Sequence, residues 1–176
     1  MDKWFNTVQA QLYFAQGAIE RLLVLEASGK NNQSYKQVMN ESILVTRELW
    51  FVWLNEWSEY LAPKREVGRV ERFHNFVEMF PNAPEVQGIT SSIASGEHWV
   101  QSFIELETLS SREWLSQIDK QKVEANDAAE ENGGMIVIAR ARARRLSVLN
   151  GAEDLREMIL GLKDFMKAVR AQHTEW

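Results

Sequence analysis

Glu71 and His74 stand three residues apart in the stretch GRVERFHNF. At that spacing one helix face can offer a carboxylate and an imidazole to a metal ion, as in di-iron bundles. Those sites use two such pairs plus two further glutamates, and this chain has no second pair. Three histidines among many glutamates give on the order of 0.3 such pairs by chance, so a hydrogen-bonded histidine at the edge of an apolar face competes with the metal reading. A second charged cluster lies in GGMIVIARARARR, residues 133–145, where Arg140, Arg142, Arg144 and Arg145 follow a β-branched run. As a strand, three of these arginines would share a face and meet an anion such as nucleic acid. The helical template instead picks out Ile136, Ala139, Ala143, Leu146 and Leu149, and alanine and arginine both favour helix. The arginines of a helix over 135–149 then fan around its circumference, leaving Arg140 and Arg144, one turn apart, as the pair that can grip one carboxylate or phosphate.

His74 also forms an Arg-x4-His pair with Arg69, which resembles the catalytic motif of the HEPN ribonucleases, helical bundles that dimerise and cut RNA without a metal. That resemblance implies a catalytic role for Arg69 and His74. Val70 stands where the family commonly has a polar residue. On a straight helix residues five apart sit about 140° apart around the axis, so the pair converges only if the helix bends or two chains contribute. Other reactive groups are scarce. There is no cysteine, which removes thiol nucleophiles, thiolate zinc sites and iron–sulfur clusters. No glycine-bounded serine elbow is present, and Gly133-Gly134 has no lysine behind it and reads as a hinge. No cofactor is expected.

The tryptophans are the least ordinary feature. Of seven, Trp50, Trp53 and Trp57 fall at i, i+3 and i+7, a stripe that fits a helix core. A second set, Val38, Val45, Leu49 and Val52, widens the apolar surface of the same helix. A homodimer interface on the tryptophans is therefore the alternative, because aromatics carry much of the energy at interface centres.

At 176 residues the chain suits one domain with a core of its own. Its net charge of −5 comes from 25 acidic and 20 basic residues, so a nucleic-acid binder would have to concentrate its positive charge on one surface. The acidic run EANDAAEEN lies just ahead of the arginine cluster and can cancel it, so nucleic acid is not the favoured partner. The longest apolar run, Leu49 to Leu54, is far short of a membrane span, and the first residues lack the pattern of an export signal. A cytoplasmic location is expected.

Periodicity predicts the elements that must position these residues. Phe5, Val8, Leu12, Ala15, Ile19 and Leu22 predict a helix over about 3–27, closed by Gly29. Ser34 and Gln37 form a capping box for a second helix running to about Leu61, where Ala62-Pro63 stops it. A third is predicted over about 66–80, followed by a loop at FPNAPEVQG with a helical turn at most. A long helix follows over about 97–122, then an acidic mobile connection at about 123–134. The last helix opens at a capping box of Asn150 and Glu153 and buries Leu155, Ile159, Leu162, Phe165, Met166 and Val169.

QLYFAQGAIE (Gln11 to Glu20), ESILVTRELWFVWLNEWSEY before Ala62-Pro63 and the REWL at Trp114 resemble a family of small, uncharacterised gammaproteobacterial proteins, a domain of unknown function. The LYFA element, Leu12 to Ala15, carries most of the likeness. The resemblance implies a bacterial, cytoplasmic, all-helical protein and transfers no catalytic residue. These readings together predict an all-α, up-and-down bundle of five to seven helices. Its expected role is a non-catalytic interaction or adaptor module, forming a homodimer and meeting a protein partner of unknown identity.

Overall fold

A computed structural model describes residues 6–28, 33–63, 69–95, 98–108 and 151–172. Within them the chain is an all-α bundle of six helices without strands: α1 (Asn6–Ala27), α2 (Gln33–Leu61), α3 (Phe73–Met79), α4 (Pro84–Ser95), α5 (His98–Thr108) and α6 (Ala152–Gln172). None of these helices is long and apolar enough to cross a membrane.

α1 and α2 form an antiparallel hairpin. Glu56 meets Thr7 and Val8 at one end, Arg21 pairs with Glu41 further along, and Tyr35 donates to Glu26 at the other. α6 also packs on α1, with Glu26 at its first residue, and α5 packs on α6 and α2. α3 rests on α2, and α4 on α5. The predicted stripes of α1 and α6 are buried or half-buried wherever they are described. α2 buries parts of both its apolar sets, because α1, α3, α5 and α6 all touch it.

Two predicted elements need correction. The third helix begins at Phe73, and residues 69–72 ahead of it are not helical. The Asn55 carboxamide explains this: it donates to the Val70 carbonyl and accepts the Val70 N–H, each at 2.9 Å. Both backbone groups of Val70 are satisfied by a side chain, and Arg72 stays extended at φ −144°, ψ 145°. The loop predicted at FPNAPEVQG is largely α4. Pro84 does not interrupt that helix but opens it, at the position where a missing N–H has no helical partner to lose. Val86 and Ile89 then face the core. The predicted helix over 97–122 is described only as far as Thr108. The acidic connection, the 135–149 helix and Asn150 lie outside the described residues.

Three helices receive their N-terminal caps from distant glutamates. Glu56 of α2 accepts the N–H groups of Thr7 (3.1 Å) and Val8 (3.3 Å) in the first turn of α1. Glu107 of α5 accepts the Phe73 N–H (2.7 Å) at the start of α3, and Glu26 of α1 accepts the Ala152 N–H (3.1 Å) at the start of α6. Each carboxylate satisfies an orphan donor and faces the positive end of a helix dipole, so secondary structure and tertiary packing reinforce each other. Gly151 leads into α6 at φ 124°, and a Cβ there would overlap the Glu26 carboxylate.

The core is an aromatic column. Trp50 lies flat on Phe103 (4.6 Å between centroids, 9° between planes) and stacks on Trp53 at 4.9 Å. Trp53 meets Trp57 at 4.6 Å, and Trp57 meets Phe76 at 4.4 Å. The α6 ring of Phe165 closes edge-on against both Trp53 and Trp57.

Candidate functional site

Two surfaces stand out, one polar and one apolar. The polar one begins on α2, where Arg47 and Phe51 are four residues apart and therefore neighbours on one face. The Arg47 guanidinium sits over the Phe51 ring at 5.4 Å and donates to the Glu107 carbonyl at 3.4 Å. The extended segment ahead of α3 brings up Arg69, Glu71 and Arg72. Together with Glu107 these residues line a cleft of about 290 Å³. Its charged lining is three arginines to two glutamates, a local excess of positive charge on an acidic chain. The clamp that Asn55 places on Val70 is what turns these arginines toward α2 rather than around a helix.

Glu107 forms the inner wall. The Trp50 indole N–H (2.6 Å) and the Phe73 N–H (2.7 Å) both donate to its Oε1. Burial lifts this carboxyl above the ordinary range, opposed by those two donors and by the charges of Arg72 and Arg47.

A second groove, about 510 Å³, shares Phe51 and Arg69 with the cleft and continues beside α2. Its acidic residues are Glu48, Glu56 and Glu59. Glu56 is committed to capping α1, whereas Glu48 and Glu59 are exposed.

The apolar surface is the outer side of α1 with the adjoining flank of α6. Tyr13 (76 % exposed), Phe14 (61 %) and Val24 (69 %) lie on α1, and Leu160 (44 %) on α6. Tyr13 and Val24 are eleven residues apart and so point within about 20° of each other. Between α1 and α6 a groove of about 310 Å³ is lined by Leu23, Ile159 and Leu160, with Glu20 and Arg156 among its charged residues.

Of the residues singled out from sequence, Arg69 and Glu71 line the cleft, and the others that are described fall elsewhere. Trp50, Trp53 and Trp57 are 0–1 % exposed and pack within the chain's own core. The second apolar set of α2 is only partly covered within one chain: Leu49 is buried, Val38, Val45 and Val52 are half-buried, and Leu44 beside them is 45 % exposed. Arg69 lines both polar depressions, but His74 lines neither. The histidine is on the first turn of α3, exposed, with Nε2 3.1 Å from Glu78. The Arg69 and His74 pair therefore does not share the arginine cleft. Glu71 lines that cleft while His74 faces Glu78, and among the described residues no group of three or more histidine, aspartate or glutamate side chains is arranged to hold a metal ion. Arg140 and Arg144 lie outside the described residues.

Arg47, Arg72 and Glu107 were not predicted as site residues. Their sequence distances hide them, since Arg47 and Glu107 are sixty residues apart. Comparison with family models, curated proteins and solved structures found no match.

Proposed function

We propose that the protein is a non-catalytic helical interaction module that pairs with a second copy of itself through the outer face of α1 and the flank of α6. The observation that carries this reading is the group of large apolar side chains left in solvent there: Tyr13, Phe14, Val24 and Leu160. Large apolar side chains exposed together on one side of a molecule are a usual mark of a protein contact. A second copy suits this surface because its rim holds both signs of charge, Glu20 and Arg156. An isologous two-fold contact requires such self-complementarity, and Arg156, which pairs with Glu153 at 3.4 Å in an exposed i,i+3 contact, can exchange that partner for a glutamate of the other copy.

The test is sedimentation velocity on the wild-type chain and on Tyr13→Glu/Val24→Glu, with circular dichroism as the folding control. The expected result is a wild-type dimer and a folded, monomeric variant. A wild-type chain that stays monomeric at its highest soluble concentration, or a variant that remains dimeric, would overturn the proposal.

A further inference from the structure

Independently of self-association, we infer that the cleft and groove beside α2 form one binding site for a dipolar ligand, a peptide C-terminus whose last residue is basic. The cleft supplies the anionic half of the recognition. Arg69 and Arg72 are exposed at its mouth, and Arg47 forms its wall, held against Phe51. Guanidinium groups are the side chains best shaped to take a carboxylate through two parallel hydrogen bonds.

The groove supplies the opposite charge. Glu48 and Glu59 line it in exposed positions, and Arg69 and Phe51 join it to the cleft. A ligand that spans both depressions meets arginines at one end and carboxylates at the other, so its own charge must change sign along its length. A C-terminal lysine or arginine has that form, with a carboxylate on the main chain and a cation at the end of a long side chain. The Phe51 ring between the two depressions offers an apolar surface to the intervening methylenes. The same arrangement disfavours an RNA backbone, whose phosphates would run from the arginines directly onto Glu48 and Glu59.

Titration calorimetry with the tripeptide Gly-Gly-Lys, its C-terminal amide, Gly-Gly-Glu and inorganic phosphate tests the site. The ¹H–¹⁵N spectrum supplies a local readout, because the Trp50 indole N–H is bonded to the cleft wall at Glu107. Gly-Gly-Lys is expected to bind and to shift that resonance. Amidation, or Arg69→Gln in the protein, removes charge-assisted hydrogen bonds and should weaken binding about tenfold or more. Glu59→Gln should leave Gly-Gly-Glu unaffected or better bound while weakening Gly-Gly-Lys. Arg69 and Glu59 are exposed, and unchanged melting of their variants would confirm that folding is not the cause. The inference is overturned if the amide binds as well as the acid, if Gly-Gly-Lys fails to bind, or if phosphate binds in its place.

Discussion

The tryptophan column of α2 and the aromatic crest of α1 are both apolar surfaces on long helices, yet one is fully enclosed and the other faces water. Four helices, α1, α3, α5 and α6, pack around α2. α1 has its main contacts with α2 and α6, so its third side stays open. The number of neighbours, not the apolar character of the helix, decides which surface becomes core. Trp50 and Trp57 are enclosed by Phe76 from the next helix and by Phe103 and Phe165 from α5 and α6.

Removing the centre of the column should produce the largest effect. Trp53 stacks on Trp50 and Trp57 and takes the edge of Phe165. Trp53→Ala should destabilise the fold by about 3–5 kcal/mol through lost burial and the cavity left behind, measured by urea unfolding. A variant that kept its stability and lost only self-association would return Trp53 to an interface and break the contrast.

Gly161 on α6 gives a smaller and more diagnostic test. A Cβ at this position would overlap the Trp99 indole, which packs directly on the backbone of α6. In an exposed helix interior, glycine to alanine normally stabilises by about 1 kcal/mol. Here Gly161→Ala should instead cost about 1–3 kcal/mol as the indole is displaced. A stabilised variant would show that Trp99 has room to move away.

Glu107 sits where the column meets the arginine cleft, and its effect should appear in pH dependence. Burial raises its carboxyl in the folded chain, so the native state binds the proton more tightly than the unfolded state. The stability this contributes is full below the ordinary carboxylate range and is lost as pH rises through the raised value. Glu107→Gln keeps an acceptor for Trp50 and Phe73 but cannot titrate. The variant should therefore show a flatter decline in stability with rising pH across that window, followed by thermal melts at several pH values. An unchanged slope would assign the decline to other groups.

The helices and their core faces were legible because burial follows a period the chain repeats locally. Val8, Ala15, Ile19 and Leu22 on α1, and Leu155, Ile159 and Leu162 on α6, could be read this way. α4 was hidden because proline marks both loops and helix starts, and only the neighbours of Pro84 distinguish the two. The start of α3 was hidden because it depends on Asn55, a side chain fifteen residues away that occupies the backbone of Val70. The cleft was illegible for the same reason. Its arginines converge through a side-chain clamp and through a glutamate on α5, and no sequence spacing records either.

The smallest effects should come from the crest, and they sharpen the contrast best. Nothing lies within 4 Å of the place a Cβ would occupy on Gly17, midway along the exposed side of α1. Gly17→Ala should stabilise the isolated chain by about 0.5–1 kcal/mol, the reverse of Gly161→Ala. Tyr13→Ser with Val24→Ser should change folding at low protein concentration by no more than about 0.5 kcal/mol per site, as surface substitutions do. Their effect should emerge only as concentration rises. If the crest binds a second copy, mass action raises the wild-type unfolding midpoint with protein concentration and leaves the double variant's midpoint fixed. Parallel behaviour of the two chains would make the crest an ordinary exposed surface. In that case the difference between α1 and α2 would reflect packing alone, with no partner waiting for the open side.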